Sequence, residues 1–208
     1  MSAPAGRFVA LEGVDGCGKT TQARLLSEAL GALCTHEPGG TALGHALRAL
    51  LLDSHLPVAV PRAEALLMAA DRAQHVEEVV RPALESGRWV VTDRFSGSTL
   101  AYQGYGRGLA LDGLRQVVWW AAGGVSPDLS VLVDVPVEVA RRRLGSAARD
   151  RVERLGAGFF ERVRAGYLEL AAAGPRSWAV VDGRGSIPEV AAAVLVAVTE
   201  RLGTTARA

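Results

Sequence analysis

Lys19 is the only lysine in the chain; every other cation among the 23 lysine and arginine side chains is an arginine. It stands in GVDGCGKT, where Gly13, four further residues, Gly18, Lys19 and Thr20 reproduce the phosphate-loop pattern G-x-x-x-x-G-K-[ST]. Glycines there let successive backbone N–H groups turn toward one point. A helix starting directly behind them adds its orphan donors and the positive end of its dipole. Gly13, Val14, Asp15, Gly16, Cys17 and Gly18 are thus expected to cradle a polyphosphate. Lys19 is expected at the β- and γ-phosphates, and the Thr20 hydroxyl on Mg²⁺. A guanidinium is bulkier and binds as a planar fork, which accounts for a lysine in an arginine-built chain. The bland alternative, a chance turn with a solvated lysine, is disfavoured by an apolar β-type run before the loop and a helical pattern after it. A second chemical pair closes WVVTDR: Asp93 is suited to hold Mg²⁺ through water, and Arg94 to grip a second phosphate. Alone, that dipeptide would also read as a surface ion pair.

The elements needed to hold these groups alternate along the chain. Short apolar runs at Phe8 to Glu12, Leu33 to His36, Trp89 to Asp93, Leu129 to Val135 and Trp178 to Val181 read as strands. Helical patterns lie between them, which gives an α/β fold with a five-stranded parallel sheet flanked by helices. The first helix runs from Lys19 to about Leu30, stopped by Gly31. A long amphipathic segment covers Arg62 to Glu85, with a kink expected at Pro82. Glycine and proline cluster at EPGGT and GYGRG, which mark loops, and no linker or repeat divides residues 1–208, so a single domain is expected.

Composition narrows the function classes. The hydrophobic fraction is 49%, charged residues are 22% and the net charge is +1. The only dense basic run is Arg141 to Arg143, so a footprint for duplex nucleic acid is absent and a small anionic ligand fits better. No apolar run approaches the roughly 20 residues needed to span a bilayer, and no signal-peptide pattern opens the chain. The expectation is a cytoplasmic protein without membrane partners, with Cys17 and Cys34 reduced.

A phosphate loop names a site, not a reaction. An N-K-x-D guanine-reading motif is impossible with one lysine at position 19, which disfavours a typical GTPase. At this point EPGGT, ADRAQH and DRF followed by STLAYQGYGRG make the chain resemble the bacterial thymidylate kinases, P-loop enzymes that phosphorylate dTMP. The likeness runs from FVALEGVDGCGKTTQ to FFERVRAGYLELA. It implies the P-loop NTPase fold with a short lid, ATP as co-substrate, Mg²⁺, transfer of the γ-phosphoryl group to dTMP in dTTP synthesis, and a homodimer. Carried over position by position, it puts Arg72 on the thymine carbonyl, with Ser98, Thr99 and Gln103 beside the base. Tyr102 lies under the deoxyribose, Asp15 and Glu37 stand near the sugar hydroxyl and acceptor phosphate, and Arg48 and Arg94 hold that phosphate. An arginine fork suits a carbonyl acceptor and not the exocyclic amine of cytosine.

The segment GSAARDRVERLG, Gly145 to Gly156, matches the family lid. Some members carry an arginine in the phosphate loop and others supply it from the lid; GVDGCGKT has none, which implies the second class. Arg149 and Arg151, with Arg143 at the lid base, are then candidates to neutralise charge on the transferring group, alongside Lys19, Asp93 and Arg94. Two positions depart from the pattern: Met68 stands where phenylalanine commonly stacks on thymine, and His36 replaces the arginine before EPGG. The apolar stretch RQVVWWAAGG, with Trp119 and Trp120, fits either core or a dimer face. Rival readings are a kinase of another nucleoside monophosphate or of a deoxynucleoside, and a nucleotide-binding regulator without turnover. The pair Arg48 and Arg94 favours an acceptor that already carries phosphate, and the intact set Lys19, Thr20, Asp93 and Arg94 speaks against a silent regulator.

Overall fold

The computed structural model describes residues 6–53, 59–145 and 155–203. Five parallel strands, β1 (Phe8–Glu12), β2 (Leu33–His36), β3 (Val90–Asp93), β4 (Leu129–Asp134) and β5 (Trp178–Asp182), lie in the order β2-β3-β1-β4-β5. Every residue of β1 is buried, as a central parallel strand covered on both faces requires. The expected strands are all present, β1 and β2 with the expected ends and the other three with one end moved by a residue. β4 stops at Asp134 rather than Val135, because Pro136 just beyond has no N–H to continue a ladder. β5 continues to Asp182, which pairs with Asp134.

Helix α1 (Lys19–Leu30) follows β1, and Gly18 and Gly31 flank it in left-handed conformations at φ 99° and 64°. α2 (Ala42–Leu52) is capped by Thr41, whose hydroxyl accepts the Gly44 N–H at 2.9 Å, so the last residue of EPGGT starts a helix. α3 (Pro61–His75), a wide π turn at Val76–Val80 and α4 (Arg81–Glu85) form the expected long segment. The irregularity comes before Pro82 rather than at it. Pro82 cannot donate to the carbonyl one turn earlier, and the chain widens so that the Arg81 N–H reaches Val76 O.

After β3 come α5 (Ser96–Thr99), a second π turn at Leu100–Gly106 and α6 (Leu111–Ala121). α7 (Val137–Leu144) follows β4, α8 (Ala157–Ala173) precedes β5, and α9 (Ile187–Leu202) closes the described chain behind a Ser186–Glu189 capping box. The main core packs β1, β4, Val91 of β3, and Ala179 and Val181 of β5 against α1, α8 and α9. In register, Leu11 and His36 both face Asp93, so the carboxyl ends of β1, β2 and β3 meet on one rim. Most of the expected lid, with Arg149 and Arg151, lies outside the described residues. No described helix is long and apolar enough to cross a membrane.

Candidate active site

The phosphate loop leaves β1 at Gly13 (φ 146°) and bends again at Gly16 (φ 84°). Cys17 is the buried post inside it: a Cβ on Gly13 would stand 2.8 Å from Cys17 Sγ, so only glycine lets the loop fold back. Burial pushes the Cys17 thiol up, which suits packing rather than reaction. Lys19 begins α1 with its ammonium against Val14 O at 3.3 Å and Asp15 Oδ1 at 3.6 Å. Thr20, Asp93, Lys19 and Arg94 all line one open cavity with Asp15, His36, Glu37 and Arg48.

Thr20 Oγ1 donates to Asp93 Oδ2, while Asp93 Oδ1 is buried without a hydrogen-bond partner. Two hard oxygens side by side, one of them unsatisfied, fit a small oxygen-seeking cation such as Mg²⁺. Among the described residues no three His, Cys, Asp or Glu side chains cluster as a closed metal cage. Mg²⁺ characteristically takes one or two protein oxygens and completes its shell with water and phosphate, so the open arrangement matches.

Arg94 has φ 71°, the only non-glycine positive φ among the described residues, a conformation that costs on the order of 1 to 3 kcal/mol. Dense bonding holds it there. Its Nη1 donates to Gly13 O, Ser98 Oγ and Tyr167 Oη at 3.0 to 3.2 Å. Its Nη2 donates to Asp15 and to Tyr102 Oη, and the guanidinium carbon lies 4.9 Å from the Tyr102 ring centre. Asp15 also accepts the Tyr102 hydroxyl at 2.8 Å. Burial alone would raise the Asp15 carboxyl, but the Arg94 and Lys19 charges outweigh it and hold the group well below the usual range. The sugar-side role expected of Asp15 and Tyr102 thus begins from an interlocked Asp15–Arg94–Tyr102 cluster.

Glu12 anchors this cluster from beneath, a role the sequence did not single out. Its Oε1 accepts the Phe95 and Ser98 N–H groups at 3.1 and 3.2 Å, and its Oε2 accepts Ser98 Oγ at 2.6 Å and Tyr167 Oη at 3.2 Å. Burial raises its carboxyl, against the lowering pull of these bonds and of Arg94. Tyr167 comes from α8, far along the chain, and no local spacing announces it. For Glu12 a signal existed: a carboxylate ending an otherwise apolar strand, directly before the loop.

A second, narrower cavity adjoins the first and shares Asp15, Glu37, Arg48 and Arg94 with it. Met68, Arg72, Phe95, Ser98, Thr99, Tyr102 and Gln103 also line it, so all of the expected acceptor residues converge here. Arg72 is 2% exposed, sits 5.0 Å above the Phe95 ring and donates from Nη2 to Thr99 Oγ1 at 3.1 Å. Its Nε and Nη1 are buried with no partner. A buried cation with two idle donors is costly unless something else accepts from them. A planar carbonyl in the cavity would do so.

Three expected residues are already engaged with protein. Arg48 Nη1 donates to Pro38 O at 2.9 Å, behind the cis Glu37–Pro38 bond. Gln103 Nε2 donates to Glu64 Oε1 at 2.8 Å, and Glu64 is itself paired with Arg107. Arg143 donates to Cys17 O at 3.2 Å and Gly183 O at 2.9 Å, bracing the phosphate loop against the β5–α9 connection. His36 opens to solvent at the end of β2; partial desolvation of its ring and the neighbouring Arg48 hold its pKa below the ordinary value, so it is a weaker cation than an arginine would be.

The family model for thymidylate kinase matches residues 11–194. The thymidylate kinase of Desulforudis audaxviator is 50% identical over 195 residues, covering 91% of this chain and 88% of its own. That of Synechococcus sp. CC9605 is 49% identical over 203 residues, with 91% and 95% covered. The crystal structure of thymidylate kinase from Ehrlichia chaffeensis superposes with a TM-score of 0.76 at 31% identity, over 94% of this chain and all of that one. Agreement of that extent in sequence, on a scaffold that also superposes, settles the family: the chain is a member of the thymidylate kinases.

Proposed function

We propose that this protein transfers the γ-phosphoryl group of ATP to dTMP, giving dTDP and ADP, as a step of dTTP synthesis. The observation that carries the reading is the shared wall: the phosphate-loop cavity and the Arg72 cavity meet at Asp15, Glu37, Arg48 and Arg94. Two anions placed on either side of that wall come together at Arg94. Holding them in line against their repulsion is most of what phosphoryl transfer requires, and no covalent enzyme intermediate is needed.

The loop amides from Gly13 to Thr20 hold the donor phosphates, and Lys19 moves from Asp15 and Val14 O to the β- and γ-oxygens. Thr20 and Asp93 would hold Mg²⁺, which would supply positive charge to offset that of those phosphates. Arg94, fixed by Ser98, Tyr102 and Tyr167, receives the acceptor phosphate together with Arg48. At the far end Arg72 offers one of its unpaired donors, Nε or Nη1, to a thymine carbonyl, with Thr99 and Gln103 beside the base, Phe95 under the guanidinium and Met68 on the wall. Arg149 and Arg151 supply the lid charge at transfer, with Arg143 holding the lid base to the loop.

The protein acts in the cytoplasm as a single-domain subunit of a homodimer. Trp119 and Trp120 on α6 are 64% and 82% exposed, and a groove lined by Leu66 of α3 with Leu109, Leu114 and Val117 lies on the α3–α6 side. An apolar face of this kind is characteristic of a subunit contact. A panel of nucleoside monophosphates with ATP and Mg²⁺, followed by ADP release, tests the activity. dTMP should give the highest kcat/KM; a higher value for another monophosphate or for thymidine, or no turnover at all, would overturn the reading.

A further inference from the structure

The EPGGT and ADRAQH motifs close on one another behind the acceptor cavity, joined by Asp71, Arg72 and His75, of which His75 reaches deepest. It ends α3, is completely buried and lines neither cavity. Nδ1 lies 2.8 Å from Glu37 Oε1, and Nε2 lies 2.8 Å from Thr35 Oγ1 on β2. A carboxylate only accepts, so Nδ1 donates its proton to Glu37, and Nε2 pairs with the Thr35 hydroxyl. Glu37 Oε2 in turn stands 2.8 Å from Arg72 Nη2. The pair is made through that one nitrogen, and neither Nε nor Nη1 of Arg72 closes it into a fork. The carboxylate is held short of the forked pairing that arginine and carboxylate prefer.

Gly40 confirms how closely the loop is fitted to the ring: a Cβ there would lie 2.8 Å from His75 Cδ2. Asp71, one turn earlier on α3, holds the same loop by accepting the Gly39 N–H at 2.9 Å.

We propose that His75 is a positioning residue for acceptor recognition: by tethering Glu37 it keeps the Nε and Nη1 donors of Arg72, one on each side of Nη2, free for the acceptor base. Without the tether, Glu37 turns into a fork with Arg72 and covers one of those donors. The proposal rests on the reading of this cavity as the dTMP site and adds to it a residue that never touches dTMP.

The test is steady-state kinetics of His75→Leu, His75→Asn, Arg72→Ala and the Arg72→Ala/His75→Leu pair, with thermal unfolding of each. His75→Leu should raise KM for dTMP by about tenfold and leave KM for ATP near wild type. Asparagine places an amide N–H near the Nδ1 position, so His75→Asn should recover most of the loss. In the double variant, removal of His75 should add little once Arg72 is gone. Equal rises in both KM values, failure of asparagine to rescue, or additive losses in the pair would each overturn the proposal. If His75→Leu does not fold, Thr35→Val keeps the side-chain shape and deletes the hydroxyl that pairs with Nε2; it should raise dTMP KM several-fold, and an unchanged KM would overturn the proposal as well. Absence of dTMP turnover in the wild type would sink the parent reading instead, which separates the two failures.

Discussion

Lys19 and Met68 are positions where side-chain shape decides more than charge or polarity does. Lys19, at 6% exposure, sets its ammonium against Val14 O and Asp15, a contact that suits a compact rotatable charge better than a planar fork. Lys19→Arg should lower kcat by about a hundredfold or more with an unchanged unfolding temperature, read by ADP release and thermal unfolding. Met68 is half-buried on the acceptor wall. Met68→Phe offers the base a rigid face and should tighten dTMP by about 0.5 to 1.5 kcal/mol in calorimetric titration; a fall in stability without tighter binding would show a packing residue instead. Asp71 makes a pH prediction. Burial first, then the neighbouring Glu37, raise its carboxyl from 3.8 to about 6, against the Gly39 N–H that lowers it. A raised carboxyl binds its proton more tightly in the folded state, so its contribution to stability is full below the unfolded value and is lost as pH rises through about 6. Asp71→Asn should remove that loss. The wild-type unfolding temperature, taken relative to the variant, should decline from pH 4 to pH 7, and a flat difference would reassign the group.

At the scale of elements, α5 and the π turn behind it carry the acceptor site, and Glu12 fixes where they begin. Gly97 lies so close that a Cβ on it would meet Glu12 Oε1 at 2.7 Å. Glu12→Ala leaves the Phe95 and Ser98 donors unpaired and should cost about 2 to 5 kcal/mol of stability, with kcat falling as Arg94 loses its support through Ser98 and Tyr167. Denaturant unfolding with activity assays on the same samples measures both. The strands, α1 and the phosphate loop were legible because their signals are local: apolar runs, a glycine pattern and left-handed caps. Apart from Asp15 in the phosphate loop and Arg94 at a strand end, the expected residues of the narrower cavity were legible only through likeness to a family. Periodicity does not say that Thr35, Glu37 and His75 meet, since β2 with the loop behind it must first be packed against α3. The same holds for Tyr167, which reaches Arg94 and Glu12 from α8. The π turn before Pro82 escaped because a missing N–H can be answered by a kink or by a wider turn, and only packing decides.

For the whole molecule, the order β2-β3-β1-β4-β5 gathers chemistry on one rim and leaves the α3–α6 side to other uses. Trp120→Glu should shift sedimentation velocity toward the monomer over a micromolar dilution series while dTMP turnover per subunit survives; an unchanged distribution would remove Trp120 from the contact. The solitary lysine has one more consequence. In most enzymes an amine-directed acylating reagent scatters over the surface and its effect on activity cannot be assigned. Here its only side-chain target is Lys19, shielded against Val14 and Asp15. Loss of turnover should therefore track acylation of one peptide by mass spectrometry, ATP should protect that peptide, and dTMP alone should protect it far less. The chain carries its own built-in reporter of donor-site occupancy.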